Sequence, residues 1–237
     1  MKVYLVSRPQ VDFCEFERFI ADEGMAPGAA YHVEPVSDAE MLVELSARLC
    51  YMSYGKGRKT TKEYLENIIR QKHFSVMEHA NWTFIITGVT RSLTHELVRH
   101  RHLSYSQLSQ RYVDESEAKM IAPPVIADDE MRNEIAQYAF EHSRGAYVEL
   151  VKDLEYAFKD IANPMERRKA ARQAARAVLP NATETKIAVT GNARAWREMI
   201  EKRDSPHADP EIRSLAHTIF TILHSESPLL FPIEEDD

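Results

Sequence analysis

Between positions 91 and 112 the chain reads Arg91-Ser-Leu-Thr-His95-Glu96-Leu-Val-Arg99-His100-Arg101-His102-Leu-Ser104-Tyr105-Ser106-Gln107-Leu-Ser109-Gln110-Arg111-Tyr112, with four arginines, three histidines and no lysine. On a helix turning about 100° per residue, Arg91, His95, Arg99 and His102 share one face. Cations at i,i+4 repel by a few tenths of a kcal/mol. A bound anion reverses the sign of that interaction, and the arginine fork fits a phosphate better than a lysine point charge does. The hydroxyls of Ser104, Ser106 and Ser109, with Arg111, add donors. A merely solvated helix face would interleave acids and use lysine as freely as arginine, and only Glu96 meets that description. The chemistry expected here is anion binding.

Metal ligation is the rival reading. His95-Glu96 begins the pattern H-E-x-x-H, but the fifth position is Arg99 and His100 falls one residue late. That places His100 about 100° around the helix, beside a cation that would repel a metal. No metal is expected.

Two further basic clusters follow. Arg168, Arg172 and Arg176 stand at i,i+4, with alanines between them that keep the surface low. Arg168 and Arg172 read as a solvated or subunit-facing stripe. Arg176, at the helix end before Pro180, reads as a site residue. Asn192-Ala193-Arg194 opens another helix that reaches Arg203, with His207 beyond. Asn192 suits an N-cap and Trp196 the core. Arg194 and Arg203 are half a turn out of phase and need not share a ligand. Upstream lies His73-Phe-Ser75-Val-Met-Glu78-His79, weak evidence by itself.

The elements that must position these groups are mixed. A strand is expected over Val3 to Ser7, and irregular chain from about Phe13 to Pro35, with Gly24, Pro27 and Gly28. Ser37-Asp38 starts a helix with Met41, Leu42, Leu45 and Leu49 on its apolar face, and Cys50 reads as a small core residue. Thr60-Thr61 opens a second helix. Trp82 to Val89 reads as a buried strand. Thr90 caps a helix running to about His102, and Tyr105 to Tyr112 continues as a turn or short helix. Lys119 to Ala122 reads as a strand. A long helix from about Asp129 to Ile161 carries Ile135, Tyr138, Tyr147, Leu150, Val151, Leu154 and Phe158 as its stripe. Asn163-Pro164 caps the next helix, Thr185 to Thr190 is β-like, and Asn192 to Arg203 and Asp209 to His224 are helical. Long helices between isolated strands give an α+β class, a mixed sheet in a single domain spanning 1–237. An acidic tail occupies about 233–237.

Bulk properties narrow the classes. The chain has 237 residues, 44% hydrophobic and 28% charged, with a net charge of −7. That balance argues against a nonspecific nucleic-acid binder. Two cysteines exclude a disulfide framework or a cysteine zinc cage. No run reaches the roughly 20 apolar residues of a membrane span. The N-terminal apolar stretch is too short for a signal peptide, so a cytoplasmic setting is expected. No G-x-G-x-x-G or Walker loop is present.

Arg99-His100-Arg101, seven residues and then Ser109 resembles the R-H-R-x7-S signature of flavin-dependent thymidylate synthases. His73-Phe-Ser75…Glu78-His79, Ala175-Arg176-Ala-Val-Leu-Pro180 and Asn192-Ala193-Arg194…Arg203…His207 are similar to further elements of that family, in the same order, across about residues 38 to 225. The resemblance implies the family's fold and the reductive methylation of dUMP to dTMP. It implies FAD as cofactor, NADPH as reductant and 5,10-methylenetetrahydrofolate as carbon donor. It also implies a homotetramer with sites at subunit interfaces, and neither nucleic acid nor membrane as partner. The dUMP site would comprise Glu96, Leu97, Val98, Arg99, Gln107, Leu108, Ser109, Gln110, Arg111, Arg176 and Arg203, with Ser109 and Arg111 on the phosphate. FAD would meet His73, Ser75, Arg99, His100, Arg101, Gln107, Asn192, Ala193, Arg194, Glu198 and His207. Arg203 would be catalytic, stabilising negative charge at N3 of the uracil in place of a cysteine nucleophile. Gln107 stands where some members have a carboxylate, Ser106 where some have asparagine, and Glu198 where others have asparagine or histidine. The competing reading is a noncatalytic nucleotide- or RNA-binding module built on the same arginines.

Overall fold

In the computed structural model, residues 1–25 and 36–233 are described; Pro27, Gly28 and most of the acidic tail lie outside them. Four strands form one sheet in the order β1-β2-β4-β3: β1 (Lys2–Ser7), β2 (Asn81–Thr90), β3 (Ser104–Gln107) and β4 (Glu184–Asn192). Nine α-helices accompany it among the described residues, which makes the fold α+β. None of these helices is long and apolar enough to cross a membrane. The chain divides into two compact units, the first made of residues 1–2, 86–99 and 105–188, the second of 3–85, 100–104 and 189–237.

The first unit contains α4 (Arg91–Leu97), α5 (Pro124–Ala127), α6 (Glu130–Ala157) and α7 (Pro164–Ala175), then a 3-10 turn over Arg176–Val178. Asp129 caps α6, and Asn163 caps α7 with Pro164 in its first turn. The buried side chains of α7 are only Ala171 and Ala175, which lets it pack close to α6. On α6, Phe140 and Tyr147 are buried, but Ile135 and Tyr138 are exposed, so the expected stripe covers only part of the helix.

The second unit contains α1 (Phe13–Asp22), α2 (Asp38–Leu49), α3 (Thr61–Arg70), a 3-10 turn over Phe74–His79, α8 (Ala193–Arg203) and α9 (Pro210–Glu226). Ser37 and Glu40 close a capping box on α2, while Thr60, Asn192 and Asp209 cap α3, α8 and α9. Each cap contributes about 1 kcal/mol. The core is aromatic: Trp82 meets Phe231 edge-on at 5.6 Å, and Phe84 meets Trp196 at 5.2 Å. Met199, Ile212, Leu215, Ile219 and Leu223 are buried as well.

Several expectations are corrected. The stretch after Phe13 is helical, because Asp12 caps α1 and Phe16, Phe19 and Ile20 pack with Met41, Leu45 and Tyr54. Cys50 and Leu49 are exposed, since α2 ends there and its apolar stripe stops short. β2 is buried on one side: Trp82, Phe84 and Ile86 point inward, Ile85 is exposed, and the alternation slips at Gly88 (φ 67°). Lys119 to Ala122 forms only an isolated antiparallel bridge, Met120 with Thr183. The helix opened by Thr90 ends at Leu97 and not at His102, and the chain after it first forms β3, so the expected turn is confined to Ser109 to Tyr112.

Candidate active site

The end of α4 decides how the arginine-rich segment is used. Val98 N makes the last helical bond, to Thr94 O at 3.0 Å, and Arg99 N tightens to Glu96 O at 3.2 Å. Tyr105 Oη then donates to Leu97 O at 2.6 Å, satisfying a terminal carbonyl that a further turn would have used. Arg99, His100, Arg101 and His102 therefore leave the helix, and the shared face with Arg91 and His95 does not form. Arg99, Arg101 and His102 are exposed and His100 is half-buried.

In the first unit, α4 starts with Thr90 Oγ1 accepting from Leu93 N, while Arg91 N bonds Thr183 O and Ser92 N bonds Asn181 O. Thr94 Oγ1 donates to Arg91 O and so accepts from Gln107 Nε2 at 3.0 Å. That fixes which way the Gln107 amide points, and the same nitrogen reaches Thr185 Oγ1 at 3.3 Å. Leu108 N is taken by Lys186 O. Ser109 O receives the amides of Tyr112 and Val113, and Ser109 Oγ receives that of Arg111, giving a tight turn. Inside it, Gln110 Nε2 and Arg111 Nε are buried without a hydrogen-bond partner. Buried orphan donors are rare and call for a physical explanation, of which a bound anion is one.

Arg172 corrects the surface-stripe reading: Nη1 donates to Tyr112 O and Nη2 pairs with Asp114, both at 2.8 Å, and its Nε is buried and unpartnered. Arg168 is exposed, as expected. Lys169 and Arg111 approach the Tyr112 ring at 5.1 and 5.6 Å. Arg176, at the C-cap of α7, is half-buried. Burial lowers the Arg91 pKa, Arg176 lowers it further, and Glu115 opposes both. Glu115 is itself buried, and burial raises its carboxyl above the ordinary value despite Arg91. Sequence reasoning missed Glu115, Thr94, Thr185 and Tyr112. The acidic run Asp114-Glu115-Ser116-Glu117 reads as solvated, and no pattern separates its buried member.

In the second unit, Arg203 Nε donates to His100 Nε2 at 3.0 Å. Burial first, then Arg203 and Lys202, hold the His100 pKa below its ordinary value, with Glu198 opposing. Glu198 pairs with Lys202 at 2.5 Å, which lowers its own pKa. Asn192 Oδ1 caps α8 by accepting from Ala195 N, and Ala193 N donates to Ala80 O. Arg194 Nη1 pairs with Glu78 at 2.7 Å on the exposed surface. His73, Ser75 and His207 are exposed. Leu97 and Ala193 are buried, so their side chains present no surface to a ligand.

The residues proposed from sequence thus sort by unit. Of the nucleotide set all but Arg203 belong to the first, and of the flavin set all but Arg99 and Gln107 belong to the second.

What these features define is an arginine-rich chain with unsatisfied buried donors in one unit and a histidine-braced arginine in the other. The profile of the thymidylate synthase complementing protein family matches residues 33–229. The flavin-dependent thymidylate synthase of Mycobacterium marinum is 49% identical over 212 residues, 88% of this chain and 85% of the relative. Those of Mycobacterium tuberculosis and Mycobacteroides abscessus are 52% and 51% identical over 193 residues, 80% of this chain and 77% of each relative. The chain belongs to this family, the flavin-dependent thymidylate synthases.

Proposed function

We propose that the protein methylates dUMP to dTMP, taking the methylene from 5,10-methylenetetrahydrofolate and the reducing equivalents from NADPH through FAD. Two electrons from NADPH reduce the transferred methylene to methyl, and tetrahydrofolate and NADP⁺ leave. The observation that carries the reading is the Ser109–Tyr112 turn, with its orphaned buried donors on Gln110 and Arg111. Such a turn fits a monoester phosphate, and Arg99 and Arg176 add charge for the rest of dUMP.

The second unit's donors fit an FAD. His73, Ser75 and Arg101 are accessible, and Arg194 is held only by an exposed ion pair worth at most about 1 kcal/mol, which a pyrophosphate can replace. Glu198, whose carboxylate would repel phosphates, is screened by Lys202. The flavin, when bound, supplies the hydride that completes the methyl group. Arg203 stabilises the negative charge that develops at N3 as C5 becomes nucleophilic, an effect worth a few kcal/mol. Ser109 binds and does not attack: its oxygen accepts from Arg111 N, and among the described residues no histidine–acid pair is hydrogen-bonded to it. A homotetramer with sites at subunit interfaces completes the reading.

The test is the visible spectrum of the purified protein with added FAD, before and after dUMP. Flavin absorbance that changes with dUMP supports the proposal. A protein that binds no FAD overturns it.

A further inference from the structure

Arg203 is the last residue of α8. Its Nε donates to His100 Nε2 at 3.0 Å, across 103 sequence positions within the second unit. To accept there, the imidazole must be neutral and carry its proton on Nδ1. A guanidinium is planar, so holding Nε sets the plane of both terminal amino groups. We infer that His100 is a positioning residue for Arg203, holding the guanidinium plane through Nε and releasing it when the imidazole is protonated. This rests on the catalytic role proposed above for Arg203.

His100 is itself well placed to hold still. Leu103 N bonds His100 O at 3.1 Å, and Leu103 is buried against Gly191. The charged groups around the ring come from α8: Arg203 and Lys202 disfavour the imidazolium, Glu198 favours it, and Glu198 is engaged by Lys202 and also senses His102. The balance, with burial, keeps His100 neutral to lower pH than the usual 6.5. At neutral pH the acceptor is present. In acid a second cation replaces it, and the hydrogen bond to Arg203 cannot form.

Two measurements decide the matter. The first is the histidine ring tautomer by nitrogen-15 NMR during a pH titration of the flavin-free protein and its Arg203→Ala variant. The expected result is an Nδ1–H tautomer for His100 that titrates below 6.5 and moves upward in Arg203→Ala. An Nε2–H tautomer, or one titration curve for both proteins, overturns the inference. The second compares His100→Gln with His100→Ala at saturating dUMP, normalised to bound flavin. Gln offers an acceptor near the Nε2 position and does not titrate. It should lose the acid limb of the pH profile and fall less in kcat than Ala, which should lower kcat about 10- to 100-fold. Equal rates for Gln and Ala, or an unchanged acid limb in Gln, also overturn it. If the wild-type protein makes no dTMP, the proposed function falls, and the NMR measurement still decides whether His100 braces Arg203.

Discussion

The hydroxyl of Tyr105 donates to the carbonyl of Leu97 at 2.6 Å, and that bond fixes where the arginine-rich segment leaves α4. Tyr105→Phe strands a carbonyl on a fully buried residue. The expected loss is about 1–3 kcal/mol, read as a lower denaturant midpoint with an unchanged slope. Because α4 would then fray toward Arg99, KM for dUMP should rise as well. A variant with wild-type midpoint and KM would show that the helix end is set by something else.

Gly191 serves the second unit in a similar way. A Cβ added there would lie 2.1 Å from Leu103 Cδ2 and 3.2 Å from Trp196 Nε1. Gly191→Ala should destabilise by about 1–3 kcal/mol through overpacking. Adding Leu103→Ala should recover part of that loss, so a double-mutant cycle should show non-additivity. Purely additive effects would mean that the two residues do not meet.

Arg172 ties Tyr112 O and Asp114 across the end of the turn proposed to hold the phosphate. Arg172→Ala should weaken dUMP about tenfold or more by loosening that turn, and should leave deoxyuridine, which lacks the phosphate, almost unaffected. Calorimetric titration with both ligands checks this, and an equal loss for the two would point to general damage.

Glu115 gives a pH signature. Its folded pKa is raised above the ordinary 4.5, first by burial, so its protonated form is favoured in the folded state. The stability it contributes is full below the unfolded value and is lost as pH rises through the folded value. Glu115→Gln should therefore gain on the wild type progressively as pH climbs above 4.5. Chemical denaturation at a series of pH values checks the sign. A difference that shrinks with pH would mean that Arg91 outweighs the desolvation.

Much of this was legible in the sequence where the signal is local. Ser37, Thr60, Thr90, Asn163 and Asn192 cap the helices they were expected to open, because a short polar side chain before an apolar period is a local instruction. The end of α4 was not legible, since Tyr105 in the next strand imposes it. α1 had a readable apolar period, diluted by acids and by the glycine and prolines that follow. The Arg203–His100 bond joins residues 103 positions apart, and neither residue's neighbours announce the other. Arg172 and Glu115 share one lesson. Charge runs look solvated until the fold shows which member turns inward.

The central claim is that an arginine polarises the uracil ring. It is tested most directly by the rate of dTMP formation in Arg203→Ala, with bound FAD quantified in the same sample. The account predicts a fall of about 10²- to 10³-fold with flavin retained. Wild-type turnover by that variant would contradict it.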